Sequence, residues 1–155
     1  MIPFNKPYVT GKETLFIGDA VNKGQISGNG YYTKLCQSYF SSKLSNHLNL
    51  CTTSCTDALE MTALLANIST GDEVIMPTYT FVSTANAFIL RGAVIRFIDS
   101  RKDHPGMDEN KIEELITKKT KAIVVVHYAG VACDMDVILK IGAKFNLIII
   151  EDAAQ

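Results

Sequence analysis

The chain has 155 residues, of which 47% are hydrophobic and 20% are charged, and its formal net charge is −1. This composition is ordinary for a globular domain that buries a core. The near-neutral charge gives no reason to expect a nucleic acid or an anionic membrane surface as a partner. No apolar run approaches the roughly 20 residues that a membrane-spanning helix needs.

Neither the N-terminus nor the cysteines indicate secretion. The chain starts MIPFNKPYVTGKE, without a basic segment followed by an apolar stretch, so we expect no secretory signal. The four cysteines show no CxxC spacing, and we interpret them as reduced thiols in a cytoplasmic protein. The three histidines are scattered along the chain, so no metal site is expected.

Two helices are predicted in the first part of the chain. Thr10 and Glu13 have the spacing of a capping box, which favours a helix over Glu13–Asn22. A glycine-rich loop follows at 25–30, and composition alone leaves open whether it is more than a turn. A second helix is predicted over Tyr31–Ser45.

The next segment predicts a strand, a polar turn and a helix. His47–Thr52 alternates polar and apolar residues as a short strand does, and Ala58–Ile68 is an apolar helix. The turn at 53–57 would place the free N–H groups of a helix start where an anion binds. The alternative is that Ser54 or Thr56 only caps the helix. No Walker pattern and no GxGxxG is present, which argues against an ATPase or an ordinary dinucleotide site.

Strands and helices alternate through the rest of the chain. Strands are predicted within 71–77 and over 93–98, 121–126 and 147–150, and helices over 82–90, 109–117 and 133–145. This alternation predicts an α/β fold with a mostly parallel sheet and helices on both faces. The last strand is a continuous apolar run, typical of a strand buried on both faces. Four loops should then meet at one edge of the sheet: 53–57, 78–81, 127–130 and 152–155.

These loops carry the parts of a cofactor site. A helix start at 53–57 suits a phosphate, and Phe81 can lie against a planar ring. Asp152, placed after a buried strand, can hold a ring nitrogen in its protonated form. Phosphate, planar ring and protonated ring nitrogen together describe pyridoxal 5′-phosphate (PLP), whose ring stabilises a carbanion on the substrate.

Five segments in order resemble the DegT/DnrJ/EryC1/StrS sugar aminotransferases. They are SCTDA at 54–58, GDEVI at 71–75, PTYTFVSTAN at 77–86, HYAG at 127–130 and EDAAQ at 151–155. The resemblance implies a type I PLP-dependent aminotransferase fold, with residues 1–155 as the N-terminal portion of its PLP-binding large domain. It also implies a homodimer whose active sites are shared between subunits.

The resemblance also implies a reaction. L-glutamate would donate an amino group to dTDP-4-dehydro-6-deoxy-D-glucose, giving dTDP-4-amino-4,6-dideoxy-D-galactose for cell-surface polysaccharides such as enterobacterial common antigen. Galacto- and gluco-configured products both occur among close relatives of this family.

Site residues carry over from the family by motif. Cys55 and Thr56 match phosphate-contacting positions, with Ser54 and Asp57 as their neighbours. Phe81 matches the residue stacked on the cofactor ring, Asp152 the partner of the pyridine nitrogen, and Gln155 a position near the phenolic oxygen. His127 and Tyr128 match substrate positions less closely, and a histidine that merely closes the strand end is an equal alternative for His127.

No catalytic residue is assigned within the chain, because the family's Schiff-base lysine lies beyond position 155. The lysines present are interpreted as solvated charges, so we expect residues 1–155 alone to be inactive. Three alternatives to an aminotransferase stay open. They are an inactive truncated product, a PLP- or PMP-dependent sugar dehydratase in which histidine replaces the lysine, and a binding module on a similar scaffold.

Overall fold

The computed structural model describes residues 6–44 and 48–155. The chain divides into two compact units, Met1–Cys51 and Thr52–Gln155. Among the described residues, no helix is long and apolar enough to cross a membrane.

The first unit contains helix α1, Glu13–Asn22, and helix α2, Tyr31–Lys43. The predicted bounds of α1 are confirmed, but Thr10 does not act as a side-chain N-cap. Instead its N–H and hydroxyl both donate to the Glu13 carboxylate, at 2.6 and 2.8 Å. Neither helix has a buried residue. The predicted C-terminal end of the second helix, Ser45, lies outside the described residues.

The strand predicted at 47–52 is not formed at 48–52, and His47 lies outside the described residues. Leu48 and Leu50 are 99% and 64% exposed. Alternation over so few residues does not make a strand, because a strand also needs a neighbour that accepts and donates its backbone hydrogen bonds. The prediction of a strand here is therefore wrong.

The second unit is built on a parallel sheet of four strands in the order β2-β1-β3-β4. The strands are β1, Glu73–Pro77; β2, Val94–Ile98; β3, Thr120–Val126; and β4, Ile148–Asp152. All four lie where the sequence predicts them, within two residues at each end. The parallel α/β fold class is confirmed.

Helices cover both faces of this sheet, as predicted. They are α3, Cys55–Leu65; α4, Val82–Ile89; α5, Ile112–Leu115; and α6, Met135–Phe145. The predicted start of α3 is three residues too late, because Ser54 caps it by accepting the Asp57 N–H at 3.1 Å. The helix predicted over 109–117 is shorter, a 3-10 turn at Glu109–Lys111 followed by α5.

The core lies in two layers, one on each side of the sheet. Val74, Met76, Val124 and Ile150 pack with residues of α3 and α4, including Phe88. On the other face Ile75, Ile123 and Val125 pack with residues of α5 and α6, including Ile138. This division follows from the strand period of two residues.

Within the described residues, the last strand is not covered on both faces. β4 is an edge strand of the described sheet and pairs with β3 alone. Ile148 is 41% exposed and Ile149 is half-buried, whereas Ile150 and Asp152 are buried. By contrast, β1 is buried along its whole length and β3 from Ala122 to Val126, because each has a strand on both sides.

The connections create a crevice between β1 and β3. β1 continues into α4 on one face, and β3 continues into α6 on the other. Neighbouring parallel strands whose connections leave in opposite directions form the place where α/β proteins bind ligands. The loops that begin at Thr78 and His127 flank this crevice.

Candidate functional site

Asp152 is the last residue of β4, and it is 7% exposed. It lies opposite Val126, the last residue of β3. Ile150 and Asp152 share the face covered by α3 and α4, because alternate residues of a strand point the same way. Glu151, between them, points to the other face and is exposed. The register of β4 therefore directs one carboxylate inward and its neighbour outward.

The Asp152 carboxylate is held by three donors. The Thr84 hydroxyl donates to Oδ2 at 2.8 Å, while the Cys55 thiol at 3.6 Å and the Ala154 N–H at 3.3 Å approach Oδ1. In the part of the chain that the structure describes, no lysine, arginine or histidine forms an ion pair with Asp152. The carboxylate is thus hydrogen-bonded but has no positive counter-charge, which is unusual for a buried acid.

Cys55 acts as a donor rather than a nucleophile. Partial desolvation of the Cys55 sulfur, followed by the nearby charge of Asp152, raises the pKa of the thiol. A raised pKa keeps the thiol protonated at neutral pH, so its S–H is available to Asp152. The first residue of α3 therefore touches the tip of β4.

The N-terminal turn of α3 has the side-chain cap that the sequence left open, and anion binding there stays a prediction. Ser54 caps the helix, which confirms that alternative for its side chain. The Thr53 hydroxyl donates to the Asp57 carboxylate, and this contact holds the pKa of Asp57 below its usual range. The side chains of Ser54 and Asp57 are thereby engaged within the turn. The backbone N–H groups of Cys55 and Thr56 lie in the first turn of the helix and have no intrahelical acceptor, so they remain available to an anion.

Phe81 is the N-cap residue of α4, and its side chain is 71% exposed. Its ring has no aromatic partner among residues 6–44 and 48–155. The neighbouring Thr80 hydroxyl lies 2.9 Å from that of Thr84. The loop carrying Phe81 is thus connected through Thr84 to Asp152.

His127 is used within the fold. Its backbone N–H donates to the backbone oxygen of Asp152 at 3.0 Å, and its ring Nε2 lies 2.9 Å from Glu151 Oε2. The Cys133 N–H donates to Nδ1 at 3.3 Å, so the neutral ring carries its hydrogen on Nε2 and donates it to Glu151. Both ring nitrogens therefore have partners in the chain, as expected for a histidine that closes a strand end. A substrate role for it stays a prediction.

Tyr128 lies against Tyr79 across the crevice, with ring centroids 4.4 Å apart and an interplanar angle of 40°. The neighbouring Tyr79 raises the pKa of Tyr128. The turn Tyr128–Gly130 contains Ala129 at φ 54°, a left-handed conformation. The Ala129 N–H donates to Gln155 Oε1 at 3.1 Å. Because this bond uses the amide oxygen, the Gln155 amide nitrogen remains as the donor for another group.

The other three predicted loops thus converge on Asp152 of the fourth, 152–155: 53–57 through Cys55, 78–81 through Thr80 and Thr84, and 127–130 through His127. Sequence reasoning missed Thr84, which is completely buried. The sequence does contain an indication of this residue. Thr84 lies one helical turn before Ala87 and Phe88, which places a hydroxyl on the apolar face of α4. A polar group on a buried face requires a buried partner. Among the described residues, no group of three or more His, Cys, Asp and Glu could hold a metal ion.

The fold and site together define a parallel α/β domain with a buried carboxylate, Asp152, at the carboxyl end of β4. The family model described as the DegT/DnrJ/EryC1/StrS aminotransferase family matches residues 9–155, and the chain belongs to that family.

Individual relatives match almost the whole chain but only part of their own length. GDP-perosamine synthase from Escherichia coli O157:H7 is 38% identical over 99% of this chain, and the chain spans 42% of that protein. The PMP form of Spr1654 from Streptococcus pneumoniae, assigned as a sugar aminotransferase, superposes with a TM-score of 0.91 at 30% identity, over 99% of this chain and 42% of that one. NtdA from Bacillus subtilis with bound PMP gives a TM-score of 0.87 at 34% identity. The match covers 92% of this chain and 32% of NtdA.

Proposed function

We propose that this chain binds PLP and contributes to the transfer of an amino group to a nucleotide-linked sugar. The observation that carries the proposal is Asp152: a buried carboxylate, oriented by three donors, without a cationic partner in the described parts of the chain. A protonated pyridine nitrogen would supply the missing positive charge. The solved relatives include forms of Spr1654 with PLP and with PMP, which supports the choice of cofactor.

The residues present fit this cofactor. Asp152 would hold the proton on the ring nitrogen, and the exposed ring of Phe81 offers an apolar face for a planar ring. The free N–H groups of Cys55 and Thr56, at the positive end of the α3 dipole, suit a phosphate. Ser54 and Asp57 would act as neighbours that shape this turn. The Gln155 amide nitrogen is the donor we assign to the phenolic oxygen.

These side chains bind and orient; none of them is assigned the covalent step. When bound, PLP supplies an electron-withdrawing ring that stabilises negative charge on the substrate carbon. Asp152 maintains that property by keeping the ring nitrogen protonated, since the opposite charge favours the protonated form. None of the lysines in this chain matches the family's Schiff-base lysine by motif. Tyr128 and His127 are proposed as substrate-side residues at the crevice between β1 and β3.

For substrates we propose L-glutamate as donor and dTDP-4-dehydro-6-deoxy-D-glucose as acceptor, giving dTDP-4-amino-4,6-dideoxy-D-galactose. A GDP-linked acceptor is the second candidate, favoured by the 38% identity to GDP-perosamine synthase. We further propose that residues 1–155 belong to the PLP-binding large domain of a homodimer. We place the reaction in the cytoplasm, where the four cysteines would stay reduced.

The test compares PLP binding by the full-length protein and by two variants. Asp152→Asn keeps the shape of the side chain but removes its charge, and Asp136→Asn removes an exposed charge of α6 as a matched control. We expect Asp152→Asn to weaken PLP binding by about ten- to hundredfold, the worth of a hydrogen bond between charged groups. Asp136→Asn should bind as the wild type does.

Activity then separates the alternatives. Amino transfer from L-glutamate is measured by mass spectrometry with the dTDP-linked and the GDP-linked 4-keto sugars in parallel. A sugar that loses water without gaining nitrogen would identify the dehydratase alternative. PLP binding without turnover of either sugar would indicate an inactive product, and failure to bind PLP would leave a binding module.

A further inference from the structure

Thr80, Thr84 and Asp152 form a directed chain of hydrogen bonds. The Thr84 hydroxyl lies 2.8 Å from Asp152 Oδ2 and 2.9 Å from the Thr80 hydroxyl. A threonine hydroxyl has one hydrogen, and a carboxylate oxygen can only accept. Thr84 therefore donates to Asp152, and its oxygen accepts the hydrogen of Thr80. The order of donation is fixed as Thr80 to Thr84 to Asp152.

Water cannot take the place of Thr84. The residue has no exposed surface, and it lies on the same face of α4 as Ala87 and Phe88, which are also buried. Thr84 is also the one donor recorded for Oδ2 among the described residues, since Cys55 and Ala154 approach Oδ1. Without this hydroxyl, Oδ2 would be a buried acceptor with no partner among the described residues, and the carboxyl group would be held through Oδ1 alone.

We propose that Thr84 is a positioning residue that orients the Asp152 carboxylate toward the ring nitrogen of the ligand. This inference rests on the proposed function, because it requires a ligand with a basic ring nitrogen. Thr84 acts through Asp152 and need not touch the ligand. Thr80 connects the same chain to the loop before Phe81, so one hydrogen-bond chain fixes both the acidic partner of the ring and the start of the segment that carries its stacking residue.

The test uses three variants of the full-length protein. Thr84→Val keeps the shape of the side chain and removes the hydroxyl, whereas Thr84→Ser keeps the hydroxyl. Thr62→Val is the control, because Thr62 also lies in a helix and is partly buried, but its hydroxyl donates to the Leu59 backbone oxygen at 2.7 Å rather than to Asp152. Affinity is measured for PLP and for 1-deazapyridoxal 5′-phosphate, in which carbon replaces the ring nitrogen.

We expect Thr84→Val to weaken PLP binding on the order of tenfold, the effect of losing one hydrogen bond to a charged group. Thr84→Ser should restore the affinity, and Thr62→Val should not change it. For the deaza compound, wild type and Thr84→Val should bind equally, because that ligand has no ring nitrogen for Asp152 to meet. Adding Thr84→Val to Asp152→Asn should cause no further loss, since the two changes remove the same interaction.

Two results would overturn the inference while the proposed function stands. One is a Thr84→Val protein that binds PLP as tightly as Thr62→Val does. The other is an equal loss of affinity for PLP and for the deaza compound, which would show that the hydroxyl supports the fold rather than the contact with nitrogen. Absence of PLP binding in the wild type would instead refute the proposed function itself. Thermal unfolding followed by circular dichroism confirms that each variant is folded, and Thr84→Ser remains interpretable if Thr84→Val is not.

Discussion

The two units of the chain stabilise their helices by different means. In the first unit, neither α1 nor α2 has a buried residue, and large apolar side chains such as Leu15 and Ile26 are 66% and 80% exposed. In the second unit, α3, α4, α5 and α6 each bury residues against the sheet. The same kind of element is thus held by contacts between partly exposed side chains in one unit and by a two-sided core in the other.

This difference indicates which contacts stabilise the helices of each unit. Helices α1 and α2 contact each other through side chains that are not fully buried, such as the Tyr32 hydroxyl on Asp19 at 2.7 Å and the edge-on rings of Phe16 and Tyr32. Such contacts are each worth a fraction of what burial of a large side chain gives, about 1.5–3 kcal/mol. We therefore expect substitutions of the same type to have unequal effects in the two units.

The largest expected effect comes from a pair of phenylalanines. Phe88 of α4 has no exposed surface, whereas Phe40 of α2 is 48% exposed. Phe88→Ala should lower the free energy of unfolding by about 3–5 kcal/mol, through lost burial and the cavity left behind. Phe40→Ala should cost about 1 kcal/mol or less. Urea unfolding followed by circular dichroism measures both, since the chain has no tryptophan to report by fluorescence.

Similar losses of stability in Phe88→Ala and Phe40→Ala would contradict the difference between the two units. Equal losses would mean that Phe40 is covered in solution by a surface that the described residues do not provide. Phe40→Tyr serves as a control, because it adds a polar group at a half-exposed position without removing the ring.

A pair of glycines in left-handed turns should give a smaller difference. Gly92, after α4, has φ +83°, and a Cβ there would lie 2.6 Å from Thr70 Oγ1 and 2.9 Å from its Cα. Gly24, after α1, has φ +73° and open space around it. Gly92→Ala should destabilise by about 2–4 kcal/mol, from backbone strain plus the clash, and Gly24→Ala by about 1–2 kcal/mol from backbone strain alone.

Thermal unfolding of the two variants checks this difference. A double variant Gly92→Ala/Thr70→Gly relieves part of the contact and should recover some of the loss. If Gly92→Ala proved no worse than Gly24→Ala, the turn at Thr70 would be able to move aside, and the packing of this end of the sheet would be looser than the structure shows.

The sequence predicted most of the second unit because its signals are redundant there. Apolar runs such as Ala122–Val126, bounded by turns and alternating with helices, admit few other folds. The predicted strand at 47–52 failed because alternation was its single signal. The exposed edge of β4 in the described sheet was not predicted, since an apolar sequence does not show whether a strand has a neighbour on each side.

The sequence predicted where several site residues lie in the fold, but not which side chains contact one another. Asp152 and Cys55 were found because each lies where a strand ends or a helix begins. Thr84 was missed because it lies inside a helix, 68 residues from Asp152 in the chain. Its contact depends on the register of β4 and the packing of α4, and neither is written in a local pattern.

The smallest effect we expect is a pH dependence confined to the first unit. Hydrogen bonds from the Thr10 hydroxyl and then its N–H lower the pKa of Glu13 from 4.5 to about 2. Because the folded-state pKa is the lower one, this contact contributes above pH 4.5 and is lost as the pH falls from 4.5 through about 2. Nuclear magnetic resonance titration of the Glu13 carboxyl should show the low midpoint, and Thr10→Ala should raise it part of the way towards 4.5, because the backbone N–H remains. Thr33→Ala, in α2, should leave the midpoint unchanged. A Glu13 midpoint near 4.5 in the wild type would show that the hydrogen bonds between Thr10 and Glu13 do not form in solution. The start of α1 would then lack the contact that we assign to it.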